Sequence, residues 1–329
     1  MVDAVVEQTP QGVDTCPPSN ALTQSVVTTT MTLLGLVPFS CRGTIGWLVG
    51  YLAGLFPSRE RRIASLQLQR FLASRDSSSI VPKVFANAGR TLLESINLRP
   101  IIKQRESKIR CANWPAIRAW VQDTRPIVAL TAHTGNWDLL AAYVIAEGIP
   151  LTTIGREARN PIAQSLLKGI REGYGIETIW RSDRSGVKRL FECLRERRTI
   201  AALIDQDTRV ESLMVPFFGS PAKTPSSLIA MGRRANARFV SAFLFRSSPR
   251  TFEVFVEELP DSGDDKTVLE EYNRRLEALI RRFPDQWVWF HKRWRTQADG
   301  TTLSTRDYLE HLSAQIGHHP FPDHHGLRS

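Results

Sequence analysis

The chain has 329 residues and 42% of them are hydrophobic, which is enough for a substantial core in one large domain or two smaller ones. This composition excludes an intrinsically disordered chain. The formal net charge of +10 predicts anionic partners such as nucleic acid, an anionic membrane surface, or phosphorylated and acidic substrates. The lack of zinc-finger and RNA-binding signatures argues against nucleic acid. The cysteines are scattered without a CxxC pair, so they are predicted to be reduced thiols.

The first 57 residues divide into a leader and an apolar segment. Residues 1–20 contain several prolines, lack the pattern of a secretory signal and are predicted to be flexible. Residues 21–57 contain one charged side chain, Arg42, which together with Pro38 splits the segment into pieces shorter than the ~20 apolar residues of a spanning helix. Because three arginines follow between residues 59 and 62, we predict a hydrophobic, helical, membrane-associated segment. The alternative is a buried pair of glycine-rich helices.

Residues 58–298 are predicted to form an α/β domain. Residues 60–120 repeat apolar side chains at helical spacing, with a serine-rich break at 77–79. From Pro126 onward, short apolar runs alternate with amphipathic stretches, which predicts strands connected by helices. The strands are predicted at 126–132, 150–155, 176–180, 199–204 and 238–245. The short connections imply right-handed crossovers and a mixed, largely parallel central sheet flanked by helices.

Capping residues followed by proline mark two helix starts, Asn160-Pro161 and Thr224-Pro225. Further elements are predicted at 183–197 and 266–283 for helices, and at 251–258 for an edge strand paired with 238–245. Residues 299–329 are predicted to be a loosely ordered tail.

His133 lies at the end of the predicted strand 126–132 and just before a predicted helix. Loops at the carboxyl ends of parallel strands are where open α/β sheets place their ligands. Asp138 follows five residues later, with a glycine between, and is predicted to contact one imidazole nitrogen and leave the other as a base. Such a pair suits general-base acyl transfer, in which a hydroxyl loses its proton as it attacks a carbonyl. The alternative is a structural histidine, since the tail repeats the same spacing at His318 and Asp323.

Polar residues also follow three other predicted strands, and in a parallel sheet they share one edge with His133. Arg156 and Arg181 are predicted to bind phosphate or carboxylate through their planar guanidinium groups, with ordinary surface charge as the alternative. Asp205 and Asp207 are predicted to position a polar head group or a cation, with a solvated turn as the alternative.

Two aromatic stretches are candidates for contact with lipid. The loop 215–219, which contains Phe218 and Gly219, is predicted to form the wall of an acyl-chain pocket, although its aromatic pair also suits a simple core. Residues 287–295 combine three tryptophans with basic side chains, which suits a membrane interface or a phosphate-bearing ligand. The serine nucleophile elbow, the zinc-protease helix and the P-loop are absent from the sequence.

Four stretches in this order resemble the bacterial lipid A biosynthesis acyltransferases of the lauroyl and myristoyl type. They are HTGNWD at 133–138, GREARNP at 155–161, DQDTRVESLMVPFFG at 205–219 and DQWVWFHKRWRT at 285–296. These enzymes are similar in turn to the wider glycerolipid acyltransferases, which share an HX4D motif. The resemblance covers roughly residues 25–300 and is far more specific than one histidine and one aspartate.

The resemblance implies an enzyme attached to the cytoplasmic face of the bacterial inner membrane. It implies transfer of a fatty acyl group from an acyl-carrier-protein or CoA thioester to a hydroxyl of a glycolipid, with no metal or tightly bound cofactor. By motif, His133 takes the position of the base and Asp138 that of its acidic partner. The residues expected to bind substrate or support the site are Asn136, Arg156, Arg181, Asp205, Asp207, Phe218 and Gly219.

The sequence leaves two questions open: which lipid is the acceptor, and whether the protein is an enzyme or a lipid-binding protein. Ser241 stands where relatives commonly have proline, and relatives also acylate phosphatidylinositol mannosides and lysophospholipids. A lipid A precursor-type acceptor is therefore the first hypothesis and these other lipids are the second. From a different class, an inactive membrane protein that binds acidic lipid through its basic surface also suits the charge of the chain.

Overall fold

A computed structural model describes residues 38–72, 76–158 and 160–317. The predicted leader lies outside the described residues, as do the start of the apolar segment up to residue 37 and the tail from residue 318 onward. Within the described ranges, no helix is both long and apolar enough to cross a membrane.

Three helices precede the sheet: α1 (Phe39–Leu55), α2 (Arg59–Leu72) and α3 (Ser77–Ser95). Pro38 directly precedes α1, as its fixed backbone angle favours, but Arg42 lies inside the helix and is only 5% exposed. Arg42 therefore does not divide the segment as we expected. The serine-rich stretch 77–79 is also not a break. It forms the first turn of α3, where backbone amides have no helical acceptor and serine is well tolerated.

Glycines allow α1 and α3 to pack in direct backbone contact. A methyl group at Gly46 would lie 2.5 Å from the carbonyl oxygen of Gly89, and one at Gly50 would lie 2.2 Å from that of Phe85. These residues follow a four-residue spacing along one face of α1, so the face can approach another helix closely. The opposite face remains exposed and carries the large apolar side chains Ile45, Leu48, Val49, Leu52 and Leu55, and Phe56 directly after the helix is exposed as well.

The remaining helices are α4 (Arg99–Ile102), α5 (Arg105–Lys108), α6 (Trp114–Gln122), α7 (Trp137–Ala146), α8 (Pro161–Glu172), α9 (Gly186–Arg195), α10 (Ser227–Arg234), α11 (Asp265–Arg282) and α12 (Thr305–Gly317). The strands are β1 (Ile109–Cys111), β2 (Ile127–Thr131), β3 (Leu151–Gly155), β4 (Glu177–Trp180), β5 (Thr199–Leu203), β6 (Ser212–Phe217), β7 (Ser220–Pro225), β8 (Arg238–Ser248) and β9 (Thr251–Glu258). A short 3₁₀ helix covers Pro284–Gln286.

Seven strands form the central sheet in the order β1-β9-β8-β2-β5-β3-β4. Every neighbouring pair is parallel except β8 and β9, which form an antiparallel hairpin. The predicted mixed, largely parallel sheet flanked by helices is confirmed. The strand β9 is not at the edge, however, because β1 pairs with its outer side. That pairing was missed because three residues are too few to show a periodic pattern.

Both faces of the sheet are covered, as the uninterrupted apolar run of β2 indicates. Successive side chains of a strand point to opposite faces, so Val128 and Leu130 join one buried cluster while Ile127 and Ala129 join the other. The first cluster includes residues of α2, α3, α9, α11 and α12. The second lies under α7, which supplies Leu139 as one of its residues.

The loop predicted at 215–219 is the tip of an antiparallel hairpin formed by β6 and β7. Phe217 pairs with Ser220, so the turn consists of Phe218 and Gly219. Both have positive φ angles, 50° and 72°, as a tight type I′ turn requires. Glycine adopts this conformation readily, whereas Phe218 is held there by burial of its ring.

Of the two helix starts predicted from a capping residue followed by proline, one is present in the structure. The side chain of Asn160 accepts hydrogen bonds from the amides of Ile162 and Ala163 at the start of α8, so that prediction is confirmed. The prediction at Thr224-Pro225 is wrong, since Pro225 ends β7 and α10 begins at Ser227. A proline is equally compatible with the end of a strand that lies outside a large sheet.

The region after residue 299 is more ordered than we predicted. Residues 305–317 form α12, whose Tyr308 is 0% exposed and whose Leu312 is 1% exposed in the cluster that contains α2. The hydroxyl of Tyr308 also donates a hydrogen bond to Gln67. Two residues provide too short a pattern to predict this packing from the sequence.

We expect Gly50→Ala to lower the free energy of unfolding by about 1–3 kcal/mol, because the added methyl group must force α1 away from α3. Gly169→Ala is the matched control, since a methyl group there would meet nothing within 4 Å and should stabilise α8 by about 0.5–1 kcal/mol. Chemical denaturation of both variants measures the difference. Equal stability of the two variants would contradict direct backbone contact between α1 and α3.

Candidate active site

Two adjacent parallel strands bring His133 and Asp205 to the same edge of the sheet. In the register of β2 and β5, Thr131 pairs with Leu203, so the residues two positions beyond each strand end lie side by side. The amide of Ile204 donates to the carbonyl of Thr131, which extends the pairing past the last strand residues. The predicted convergence of the strand ends is thus present in the structure.

The carboxylate of Asp205 contacts the imidazole of His133 directly. Its Oδ1 lies 2.8 Å from Nδ1 of His133, and its Oδ2 accepts hydrogen bonds from the His133 amide at 3.0 Å and from Nε1 of Trp287 at 2.8 Å. We refer to this arrangement as the His133–Asp205 pair. It leaves Nε2 of His133 as the second ring nitrogen, on a side chain that is 24% exposed.

The electrostatics of Asp205 favour its ionised form. Complete burial acts to raise its pKa, but the charge of His133 and the hydrogen bonds from His133 and Trp287 outweigh burial and lower the pKa to about 2. An ionised carboxylate can only accept a hydrogen bond, so Nδ1 of a neutral His133 carries the proton. The free Nε2 then has a lone pair that can accept a proton from a hydroxyl.

Asp138 does not occupy the position that we predicted for it. Among the described residues, no hydrogen bond joins Asp138 to His133. Its Oδ1 instead lies 3.4 Å from a guanidinium nitrogen of Arg171 on α8. Asp138 is in the first turn of α7, whereas the Nδ1 position is filled by the carboxylate from the neighbouring strand end. The structure therefore places Asp205, and not Asp138, against the imidazole.

The turn between His133 and α7 is fixed by its backbone. Gly135 has φ +49°, and a methyl group there would lie 2.3 Å from the carbonyl oxygen of Leu244, so glycine is required on both counts. Its carbonyl accepts a 2.6 Å hydrogen bond from the hydroxyl of Thr91, and its amide donates to the carbonyl of Gln286. The helix α3 and the 3₁₀ segment thus both hold this turn.

Asn136, which we expected to bind substrate, caps α7 instead. Its Oδ1 accepts a 2.9 Å hydrogen bond from the amide of Leu139, and its Nδ2 lies 3.5 Å from Glu94. The residue is only 1% exposed. A side chain that is buried and engaged in this way supports the turn rather than presenting itself to a ligand.

Arg156 and Arg181 follow β3 and β4, further along the same edge as the His133–Asp205 pair. The amide of Arg181 donates to the carbonyl of Gly155, which keeps the two strand ends together. Partial burial and the nearby charge of Arg156 lower the pKa of Arg181. Two close guanidinium groups at a strand edge favour an anionic ligand.

Within the described residues, Asp207, Phe218 and Gly219 make no hydrogen bond or ring contact with the imidazole. Asp207 is buried and accepts a 2.8 Å hydrogen bond from the amide of Thr296, so it ties the chain after β5 to a later loop. Phe218 packs against Trp289 and Trp294 in the core, with Arg281 over its ring, and Gly219 is exposed in the hairpin turn. This is the simple core that was the alternative to an acyl-pocket wall.

The stretch 287–295 is not a membrane-facing surface. Trp287, Trp289, Trp294 and Arg293 are each at most 5% exposed, and Arg293 donates a hydrogen bond to Thr224. Trp287 is instead part of the site through Asp205. The alternation of aromatic and basic residues does not reveal which of them turns inward, because this segment has no regular secondary structure.

Two adjoining apolar cavities lie between α7 and the face of the sheet that this helix covers. The first, of about 60 Å³, is lined by Thr131, Trp137, Asp138, Leu140, Leu203 and Arg171. The second, also of about 60 Å³, is lined by Trp114, Trp120, Ile127, Tyr143, Val240 and Val254. Both include Ala129, Leu140, Val144, Thr199 and Ala242. The first begins beside the catalytic candidate, because the ring of Trp137 stands edge-on to that of His133 with centroids 5.0 Å apart.

Sequence reasoning missed Arg171, which lines the mouth of the first cavity and pairs with Asp138. It lies in the last turn of α8. One basic residue near the end of a helix is common, because it interacts favourably with the helix dipole. Nothing local to Arg171 therefore distinguishes it from other arginines.

The depressed pKa of Asp205 makes folding sensitive to acid. The group titrates near 2 when folded against 3.8 when unfolded, so its stabilisation is present above the unfolded value and is lost as the pH falls towards 2. Between about pH 5 and pH 2, we expect wild type to lose about 2 kcal/mol more unfolding free energy than Asp205→Asn. Urea denaturation at each pH measures this difference. Parallel pH profiles for the two proteins would contradict it.

Comparison with known proteins gives a consistent result. The family model described as bacterial lipid A biosynthesis acyltransferase matches residues 16–296. The lipid A biosynthesis acyltransferase of Haemophilus influenzae is 23% identical, across 82% of this chain and 87% of that protein. Lipid A biosynthesis acyltransferase 2 of Shigella flexneri is 23% identical, across 80% of this chain and 87% of that protein. The phosphatidylinositol mannoside acyltransferase of Mycolicibacterium smegmatis is also 23% identical, across 55% of this chain and 59% of that protein.

The family match includes His133, Asp205 and Trp287, which the fold joins at one edge of the sheet. It also includes the strands and helices that surround the two apolar cavities. The chain therefore belongs to the bacterial lipid A biosynthesis acyltransferase family and is an acyltransferase.

Proposed function

We propose that this enzyme transfers a fatty acyl group from an acyl-carrier-protein or CoA thioester to a hydroxyl of a lipid A precursor-type glycolipid. His133 is the general base and Asp205 orients it. The observation that carries this proposal is the His133–Asp205 pair, which opens beside an apolar cavity. A base next to an apolar space suits acyl transfer better than it suits transfer of a polar group.

In this mechanism Nε2 of His133 takes the proton of the acceptor hydroxyl as its oxygen attacks the thioester carbonyl. Asp205 holds the Nδ1 proton and stabilises the imidazolium that forms. The tetrahedral intermediate then collapses, the carbon–sulfur bond breaks, and the proton on Nε2 goes to the departing thiolate. The products are an ester and a thiol, so no covalent enzyme intermediate is needed.

Backbone amides at the start of α7 are the proposed donors to the oxyanion. The amides of Thr134, Gly135 and Leu139 already donate to protein acceptors. Within the described residues, no hydrogen bond engages the amides of Trp137 and Asp138, which belong to the first turn of the helix. Amides in that position are oriented outward and carry the positive end of the helix dipole.

The two apolar cavities are the proposed site of the acyl chain. They lie under α7, the helix that begins just after His133. An acyl group whose carbonyl is near Nε2 can therefore extend its hydrocarbon chain beneath Trp137. Asp138 then has a role at the mouth of the first cavity, where it positions Arg171. This replaces Phe218 as the proposed wall of the acyl pocket.

The acceptor is proposed from the charge of the rim and from the relatives. Arg156 and Arg181 stand at the strand edge where a phosphorylated head group can approach His133. The relatives named for lipid A biosynthesis match most of the chain, which favours a lipid A precursor-type acceptor. The match to a phosphatidylinositol mannoside acyltransferase supports that lipid as the second candidate.

We further propose that α1 attaches the enzyme to the cytoplasmic face of the bacterial inner membrane by lying in the interface. Its exposed face carries large apolar side chains, including Leu48, which is 51% exposed, and Val49, which is 60% exposed. Arginines follow at the start of α2, with Arg59 exposed. An apolar helix face flanked by cations is typical of interfacial attachment to anionic lipid.

The first experiment is acyl transfer by the full chain with acyl-carrier-protein and CoA donors. The acceptors are lipid A precursors, phosphatidylinositol mannosides and lysophospholipids. His133→Ala should lower kcat by about 10²–10⁴, because the base is lost. Asp205→Asn should lower it by about 100-fold or more, because the tautomer is no longer fixed. Asp138→Asn should cost about tenfold or less, because its hydrogen bond goes to Arg171.

Circular dichroism and vesicle binding of each variant serve as controls for folding and attachment. Loss of activity in Asp138→Asn with normal rates in Asp205→Asn would return the orienting role to Asp138. Absence of transfer from either donor to every acceptor would favour an inactive lipid-binding protein.

We expect Val144→Phe to shorten the preferred acyl chain, because Val144 lines both cavities and a larger side chain fills part of their length. Each methylene that loses its contacts should lower kcat/KM by about fourfold. Val187→Phe is the matched control, since Val187 is 63% exposed on α9 and lines neither cavity. Competition between donors of different chain length measures the preference. An unchanged preference in Val144→Phe would place the acyl chain elsewhere.

A further inference from the structure

A polar cleft lies between the beginning of α1, the chain just after α3 and the end of α8. Its volume is about 320 Å³, at the lower end of the range of small-molecule sites. The polar residues that line it are Arg42, Asn97, Arg99 and Tyr174. We call this feature the Arg42–Arg99 cleft. Among the described residues that line it, two are basic and none is acidic.

Arg42 is unusual for its position. It is the one charged residue in the sequence of α1. It is only 5% exposed, even though it lines a cleft that opens to solvent. A cationic side chain placed at the buried wall of a cleft is well suited to receive an anion, since the low dielectric strengthens the attraction.

Tyr174 lines the cleft together with the two arginines. Burial raises the pKa of its hydroxyl, while hydrogen bonds from the chain at Leu98 and Arg99 and the nearby charges of Arg99 and Arg42 oppose that rise. The phenol oxygen also accepts the amide hydrogen of Leu98, which fixes the wall of the cleft between the two arginines. Two forked donors and a fixed phenol are a geometry that suits a phosphate oxygen cluster.

The cleft adjoins the exposed apolar face of α1. Ile45, the first exposed apolar residue of that face, follows Arg42 by three residues, or about 4.5 Å along a helix axis. When α1 lies in the membrane interface with that face in the hydrocarbon boundary, the cleft opens near the level of the head groups. The contacts of the His133–Asp205 pair involve none of the cleft residues.

We propose that the Arg42–Arg99 cleft binds the phosphate group of a membrane lipid. The proposal rests on the interfacial placement of α1 in the proposed function, but it does not require acyl transfer. Bound phosphate in this cleft anchors the enzyme at the head-group level and orients α1 on the membrane. The shared chemistry is that of a phosphate ester, so the test must separate a lipid head group from free phosphate.

The test uses flotation of the full chain with vesicles of phosphatidylcholine alone or of phosphatidylcholine and phosphatidic acid in equal parts. Arg99→Gln is the informative variant, because Arg99 is exposed and its replacement leaves the buried packing of α1 in place. Lys103→Gln is the matched control, since it removes one exposed charge four residues further along without lining the cleft.

General attraction to an anionic surface should cost each variant about fivefold in affinity for the phosphatidic acid vesicles. Loss of a charge-assisted contact in the cleft should lower the affinity of Arg99→Gln, and of that variant alone, by about a further tenfold. Neither variant should change binding to phosphatidylcholine vesicles by a comparable factor. Equal losses for Arg99→Gln and Lys103→Gln would overturn the proposal, because they would show surface charge without a specific cleft.

A second arm adds inorganic phosphate, with sodium chloride at the same ionic strength as its control. Phosphate should displace wild type from phosphatidic acid vesicles more than chloride does, and this excess should disappear in Arg99→Gln. If inorganic phosphate binds in an Arg99-dependent way while vesicle affinity does not depend on Arg99, the lipid assignment is overturned in favour of free phosphate. No thioester donor is present, so failure here is distinct from failure of the proposed acyl transfer.

Discussion

The burial of one carboxylate organises the active end of this enzyme. Asp205 is fully enclosed and ionised, and three donors supply the hydrogen bonds that make this possible: the His133 ring, the His133 amide and the Trp287 indole. A buried charge without such donors would be strongly destabilising. The same contacts fix the orientation of the imidazole, so the stability of the folded site and the direction of the proposed base arise from a single arrangement.

The helices before the sheet connect membrane attachment to this arrangement. Glycines bring α1 into backbone contact with α3, and α3 in turn holds the turn after His133 through the hydroxyl of Thr91 and the carboxylate of Glu94 near Asn136. Arg246 of β8 pairs with Glu94, and burial lowers the pKa of that arginine to about 10. The proposed membrane helix is thus separated from the proposed base by only one layer of packed structure.

Local patterns predicted the elements of the sheet well because strand and helix periodicity depends on neighbours in the chain. All six predicted strands are present, and the Asn160 cap begins α8 as expected. Short or irregular segments were less predictable. The strand β1 has three residues, the β6–β7 hairpin contains Pro216 and Pro221, and α12 exposes much of its surface, so none shows a strong period.

The sequence by itself determined the fold class, the strand edge where the site lies, and His133 as the base candidate, because these follow from apolar periodicity and from four ordered motifs. Only the tertiary structure decided which carboxylate meets the imidazole. Asp138 is near His133 along the chain, but it points from the first turn of α7 towards Arg171, while Asp205 arrives from the adjacent strand 72 residues away. Chain spacing cannot reveal such a contact, because the register of two parallel strands is set by packing across the whole sheet.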